Sequence, residues 1–210
     1  MDIRSLEKWN KFVAEFKLSE EMQDKFEKYF KLLIEWNDIH NLTAIEGTER
    51  ILMDHFWDSL EISKFMDFNK LESICDVGAG AGFPGIPLKI LFPNLKLYLI
   101  EVSKKKVAFL EEVKDLLQLS DTEVIDLDWR TFLRKTNYKI DIFVSRAALE
   151  TEELLRCLKP GCFYKDSQLV YWASTNWHVA PREEPFLQKL IPYKVGHKKR
   201  IYAIFAVINN

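Results

Sequence analysis

A run of glycines flanked by carboxylates is the most chemically suggestive feature of the chain. In Asp76-Val77-Gly78-Ala79-Gly80-Ala81-Gly82-Phe83-Pro84-Gly85 the glycines permit positive φ and let main-chain N–H groups approach a ligand closely. Glu101 follows roughly 20 residues later, the spacing at which an acidic side chain accepts hydrogen bonds from ribose hydroxyls. Together they point to a nucleoside-type cofactor. A dinucleotide and S-adenosylmethionine both fit this pair, and two details separate them. The spacing is G-x-G-x-G, not the G-x-G-x-x-G of dinucleotide turns. Asp76 opens the turn, where a carboxylate suits the cationic amino-acid end of S-adenosylmethionine and opposes a pyrophosphate. A nicotinamide-dependent oxidoreductase is disfavoured on the same grounds, and the chain has no Tyr-x-x-x-Lys pair.

Such a turn must be carried by a strand before it and a helix after it. Ser73-Ile74-Cys75-Asp76-Val77 reads as a buried strand, and Pro84-Gly85-Ile86-Pro87 leads into a short helix ended by Phe92-Pro93. Leu95 to Glu101 reads as a second strand. Ser103 is the cap candidate for a helix whose Val107, Leu110, Val113 and Leu117 form an apolar stripe, and Thr122 to Ile125 is a third strand behind it. Lys139 to Ser145 is a fourth strand, Glu150 to Leu158 a short helix, and Gln168 to Trp172 and Arg200 to Ile208 late strands. Repeated βα units imply a parallel, doubly wound α/β sheet that binds ligands at its carboxyl edge, where the glycine turn lies.

Upstream the apolar period is helical. Leu6, Trp9, Phe12, Val13 and Phe16 recur at three- and four-residue spacing, as do Met22, Phe26, Tyr29, Phe30, Leu33 and Trp36 after the cap candidate Ser19. A third helix starts near Thr48 and carries Ile51, Leu52, His55, Phe56 and Leu60 on one face. The expected division is a helical segment over 1–65 and an α/β domain over 66–210.

The 210 residues, 48% hydrophobic and 30% charged, suit one domain with an appendage. A net charge of -2 and a pI near 6.1 exclude a protein whose whole surface attracts phosphate, so any basic footprint is local. The densest basic clusters are Lys104-Lys105-Lys106 and Lys198-Lys199-Arg200. Cys75, Cys157 and Cys162 are odd in number, form no CxxC pair and have no His at metal-ligand spacing, which predicts a reducing compartment and no metal site. The first residues lack an apolar signal core and no apolar run approaches the roughly 20 residues needed to cross a bilayer. A soluble, cytoplasmic protein that meets no membrane is expected.

The stretch Asp76 to Leu88 closely resembles the signature of the bacterial 16S ribosomal RNA guanine-N7 methyltransferases known as RsmG or GidB. The resemblance extends upstream to Trp36-Asn37, Asn41-Leu42-Thr43-Ala44 and His55-Phe56-Trp57-Asp58-Ser59-Leu60. Downstream it takes in Lys105-Lys106-Val107-Ala108-Phe109-Leu110 and Ser145-Arg146-Ala147, so that about residues 30 to 150 are covered. It implies a Rossmann-like, class I S-adenosylmethionine-dependent methyltransferase fold with an N-terminal helical extension. The implied activity is methylation of N7 of one guanine in the 530 loop of the small-subunit rRNA, with the small ribosomal subunit as partner; a monomer is expected.

Carried over by motif, Gly78, Gly80, Gly82 and Phe83, with Asp76, would line the cofactor site, and Glu101 would hold the ribose. Trp129 and Arg130 would flank the adenine, and Arg146 would lie at the edge between cofactor and target base. His55 and Arg200 would belong to the RNA-facing surface, where Lys104, Lys105 and Lys199 would neutralise phosphates. Guanine N7 attacks through an in-plane lone pair and loses no proton. The protein's task is therefore alignment and exclusion of water, with no general base, and Arg146 could contact guanine O6 or a phosphate.

Two stretches depart from the family pattern. Where the family carries an Arg closely followed by Glu, the chain reads Asp126-Leu127-Asp128-Trp129-Arg130-Thr131, so Asp126 or Asp128 would have to serve the adenine amino group. After Pro160-Gly161 the usual Lys-Gly pair is absent, and Lys165 is the nearest substitute. These departures leave a second reading open, a catalytically weak relative that binds rRNA or the small subunit as an assembly or interaction module.

Overall fold

The computed structural model describes residues 3–5, 7–40, 42, 47–146 and 148–207. Its strands are β1 (Ser73–Val77), β2 (Lys96–Ile100), β3 (Thr122–Ile125), β4 (Ile142–Ser145), β5 (Gln168–Ser174), β6 (Leu187–Val195) and β7 (Lys198–Phe205). They form one sheet in the order β3-β2-β1-β4-β5-β7-β6. The first five strands are parallel, and β7 runs antiparallel to both β5 and β6. All residues of β1 are buried, as a central parallel strand covered on both faces requires.

Helices α1 (Glu7–Phe16) and α2 (Glu20–His40) precede the sheet, and Ser19 Oγ accepts from Met22 N at 3.2 Å as the expected cap. Next, α3 (Thr48–Arg50) continues through a π-helical turn, Ile51–Trp57, into α4 (Asp58–Leu60). Between the strands lie α5 (Gly85–Leu91), α6 (Lys104–Leu116), α7 (Trp129–Lys135) and α8 (Thr151–Leu154), the last running on as a 3-10 turn at Leu155–Leu158.

Strand alternation sorts the core into two layers. Ile74 joins Leu97, Leu99, Ile86 and Phe109 on one face, in the same cluster as Trp9, Phe12, Phe26, Tyr29 and Phe56 of the N-terminal helices. Cys75 and Val77 point to the other face, into a cluster with Phe132, Phe143, Tyr164 and Leu169. The helical segment thus completes one side of the sheet's own core. Asp76, between Cys75 and Val77, shares the Ile74 face and lies beneath these helices.

Several expectations are corrected. β6 was not anticipated: Pro192 sits within it, which argues against a strand by pattern, yet β6 is the outer edge of the sheet, where a missing N–H is tolerated. The sheet is consequently not wholly parallel. Ser103 precedes α6 without a side-chain capping bond, and its main-chain N donates to Glu101. Leu6, Asn41, Thr43, Ala44, Ala147 and Ile208, named from the sequence, lie outside the described residues. Among the described residues, no helix is long and apolar enough to cross a membrane.

Candidate active site

At the carboxyl ends of β1, β2 and β4 the sheet opens into a cavity of about 480 Å³, bordered by the glycine turn, Glu101, Trp129, Arg146 and His55. The turn is anchored to β2, since Gly78 N and Ala79 N both donate to Ile100 O at 3.0 Å. Gly78, Gly80 and Gly82 have φ of +71°, +62° and +91°. A Cβ on Gly78 would lie 2.2 Å from Ala148 Cβ, and one on Gly82 would meet Ile86 Cδ1 at 2.4 Å and Tyr29 Oη at 2.7 Å. A Cβ on Gly80 would find its nearest neighbour only at 3.9 Å. Gly80 thus faces open space while the other two are packed.

Glu101 is buried, and its carboxylate accepts three main-chain bonds: from Gly80 N at 2.8 Å, Val102 N at 3.0 Å and Ser103 N at 2.9 Å. A carboxylate offers about four acceptor positions, so one remains. Asp76 stands behind the turn. Its Oδ2 accepts from Gly85 N at 2.8 Å, while the buried Oδ1 has no partner among the described residues. Burial pushes its carboxyl up to about 7, against the pull of the Gly85 N–H and the Arg146 guanidinium.

Phe83 links the turn to the helices. Its ring stacks on His55 (centroids 4.2 Å apart, 8° between planes) and on Tyr29 (5.3 Å, 20°), and the Arg146 guanidinium lies 5.3 Å above it. Tyr29 also donates its hydroxyl to Ala81 O, so α2 grips the turn directly. Arg146 is held at the end of β4 by one stretch of helix. It donates to Asp54 O at 3.0 Å and Asp58 Oδ2 at 3.1 Å, and its Nη2 lies 2.8 Å from His55 Nδ1. A guanidinium only donates, so His55 Nδ1 accepts and its ring is neutral with the proton on Nε2. In agreement, burial and then the charges of Arg146 and Arg200 hold the His55 pKa well below the ordinary value of 6.5.

Asp58, only 1% exposed, joins three donors: Arg146 on Oδ2, with Arg200 Nε at 3.3 Å and Tyr193 Oη at 2.9 Å on Oδ1. Lys198 Nζ meets Asp54 Oδ2 at 2.6 Å. The π-helical turn and the start of α4 therefore present Asp54, His55 and Asp58 inward together, toward β4 and β7.

Of the residues predicted from the sequence, Gly78, Gly80, Phe83, Glu101, Trp129, Arg146 and His55 are brought together on the cavity wall. Asp76 and Gly82 support the turn from behind. Arg130 is not on this wall: it forms a bidentate pair with Glu153, at 2.7 and 2.9 Å, in a neighbouring groove. Trp129 donates Nε1 to Glu153 O at 2.8 Å, and its ring packs on Phe132 and Phe143. Asp126 pairs with Lys104, and Asp128 caps α7 through Thr131 N at 3.0 Å and Thr131 Oγ1 at 2.6 Å. Lys105 Nζ donates to His40 O at 2.5 Å, Lys199 is exposed, and Arg200 is turned inward to Asp58. Sequence reasoning missed Leu42, Lys106 and Leu127 on the wall, and Tyr29 and Asp54 behind it. The i,i+4 spacing of Asp54 and Asp58 was a usable signal for one helix face; Tyr29 carried none.

A family model described as "GidB: rRNA small subunit methyltransferase G" matches residues 22–198. The ribosomal RNA small subunit methyltransferase G of Lysinibacillus sphaericus (strain C3-41) is 39% identical over 145 residues, 68% of this chain and 61% of its own length. The chain spans about six-tenths of the length of the curated relatives it matches first. Among solved structures, a mutant of MtNAS in complex with S-adenosylmethionine gives a TM-score of 0.61 at 14% identity, covering 85% of this chain and 73% of that one. A human methyltransferase 10 domain containing protein gives 0.60 at 14%, covering 86% and 96%. At such identities the likeness is one of fold, the Rossmann-like class I methyltransferase fold.

Proposed function

Because the chain belongs to the GidB family, we propose that it is an rRNA methyltransferase that moves a methyl group from S-adenosylmethionine to N7 of a guanine in the 530 loop of 16S rRNA. The observation that carries this reading is the single cavity in which the glycine turn and Glu101 face Arg146 and His55. We place the protein in the cytoplasm, acting as a monomer on the small ribosomal subunit.

The residues present fit the cofactor. Gly80 opens main chain toward the cavity at a position that a side chain would strain, Glu101 retains an acceptor for a ribose hydroxyl, and Leu127 and Trp129 offer an apolar wall to an adenine. Asp76 acts through the turn, by fixing Gly85. When bound, S-adenosylmethionine supplies a methyl group on a cationic sulfonium. The chain's own work is to orient and to exclude water. Phe83, Leu42 and Ala148 line the cavity with apolar surface, and Arg146, fixed by Asp58, Asp54 O and His55, presents a guanidinium suited to guanine O6 or a phosphate. Neutral His55 adds no second positive charge beside it. No proton leaves guanine N7, so no side chain has to accept one.

One observation favours the second reading, an rRNA-binding relative with little catalysis: Asp126 and Asp128 already have partners, Lys104 and Thr131. Calorimetric titration with S-adenosylmethionine, with NAD in parallel, followed by methyl transfer to small subunits lacking the modification, separates the possibilities. One site for S-adenosylmethionine, none for NAD, and a new 7-methylguanine mapped to the 530 loop are expected. RNA binding without cofactor binding would select the second reading.

A further inference from the structure

In a chain of net charge -2, one surface groove is strongly basic. It has a volume of about 620 Å³ and lies between α7 and the turn after Leu158, with Arg130, Arg134, Arg156 and Lys159 on its walls and no carboxylate among its lining residues. Glu153, behind it, is shared by Arg130 and by Arg156 Nε at 2.8 Å, and these two hold its carboxyl down at about 2. Asp128, at the head of α7, also acts on Arg130 and Arg134, so two carboxylates answer the four cations of the groove. Among the described residues the only hydrogen bond of the Arg134 guanidinium is to Thr131 Oγ1, at 3.4 Å, and the Lys159 ammonium has no bonded partner.

An aromatic ring stands at the lip of the same groove. Phe163 is 57% exposed, unusual for a large apolar side chain, and its only ring neighbour among the described residues is Tyr164, edge-on at 5.3 Å. The groove also adjoins the cofactor cavity. Asp128 and Trp129 line the cavity and Arg130 lines the groove, while Glu153 bonds Trp129 through its carbonyl and Arg130 through its side chain.

Cations lining a groove together with an exposed flat ring match a polyanion with unpaired bases. We propose that this groove binds a single-stranded segment of the rRNA substrate, with phosphates against Arg134 and Lys159 and a base stacked on Phe163. The assignment rests on the reading above for the identity of the RNA; Arg134, Lys159 and Phe163 line the groove and not the cofactor cavity.

The test uses the full chain, the double variant Arg134→Glu/Lys159→Glu, its milder form Arg134→Gln/Lys159→Gln, and Phe163→Ala. Fluorescence anisotropy follows binding of a labelled RNA oligonucleotide of the 530-loop sequence across a salt series without cofactor, and calorimetry follows S-adenosylmethionine. All three side chains are exposed, so unchanged circular dichroism and melting are expected, and the Gln pair serves should the charge reversal misfold. Loss of two phosphate contacts should flatten the log–log salt dependence by about 1.4, at roughly 0.7 per phosphate on a single strand. Loss of the stacking platform should weaken binding about tenfold. S-adenosylmethionine affinity should not move. RNA affinity and salt slope equal to wild type in the variants, or no RNA binding by the wild type, would overturn the proposal. Groove-dependent RNA binding by a protein that transfers no methyl group would instead leave the groove standing and remove the methyltransferase reading.

Discussion

Arg146 Nη1 lies 3.1 Å from Asp58 Oδ2, with side chains 12% and 1% exposed, so a buried ion pair joins the end of β4 to the helical stretch over 48–60. The pair does more than hold two elements together. It leaves the guanidinium facing a cavity while two more of its five hydrogens are taken by Asp54 O and His55 Nδ1, which restricts the group to one orientation and leaves donors for a ligand. A positioned cation of that kind suits recognition of a planar base edge or a phosphate.

Removing the carboxylate should expose what it compensates. Asp58→Ala leaves Arg146 and Arg200 without their shared counter-charge and Tyr193 without its acceptor. Breaking a buried pair from one side costs about 3–5 kcal/mol, and a urea denaturation midpoint reads the loss. A change below about 1 kcal/mol would mean that the pair is effectively solvated.

Arg146→Ala should abolish most methyl transfer while S-adenosylmethionine still binds. Arg146→Lys should fail nearly as badly, because one ammonium cannot reach Asp54 O, Asp58 and His55 with the geometry of the planar fork. Single-turnover methylation and calorimetry on the same preparations check this, and near-normal turnover in the Lys variant would contradict it.

The three glycines should respond unequally. Gly80→Ala has space for its methyl group and should lose about 1–2 kcal/mol to left-handed backbone strain alone. Gly78→Ala and Gly82→Ala add collisions with Ala148 Cβ and with Ile86 and Tyr29, so each should cost more. Thermal melting of the three variants ranks them. Equal losses would show that the turn relaxes freely.

Stability should respond to pH through two buried groups of opposite sign. Asp76, pushed up to about 7, keeps its proton in the folded chain at pH values where an unfolded aspartate, with a pKa near 4, has lost it. The folded state then binds more protons, so this group's contribution to stability falls as pH rises from about 4 to 7. His55, lowered below 6.5, does the reverse: the unfolded chain takes the proton first, and stability is lost as pH drops below about 6.5. Asp76→Asn removes the first effect and leaves the second. Denaturation midpoints at pH 5, 6, 7 and 8 should therefore show the variant losing stability more steeply than wild type on acidification from 7 to 5, and parallel profiles would contradict the assignment.

Much of the architecture could be read locally. β1 and β3 coincide with the runs Ser73–Val77 and Thr122–Ile125 read as strands, and the G-x-G-x-G turn sits between a strand and a helix as its composition demands. These are short-range facts, governed by strand period, glycine's tolerance of positive φ and proline's placement. β6 was not legible for the opposite reason: its Pro192 is acceptable only on an edge, and edge position is a property of the sheet.

The site divides along the same line. Sequence by itself determined the turn, the carboxylate at Glu101 and the cofactor class they suit, because those residues lie within one βαβ span. Tertiary structure decided which groups face them. His55 and Arg146 are separated by 91 positions, and Tyr193 and Asp58 by 135, yet both pairs bond directly. It also moved Arg130 out of the cavity and turned Arg200 inward, since an arginine goes where a carboxylate of suitable geometry is buried or half-buried, at Glu153 and Asp58. Pairings across such distances follow from how helices and sheet pack against one another, a choice made by the whole core and not written in the spacing of any one segment.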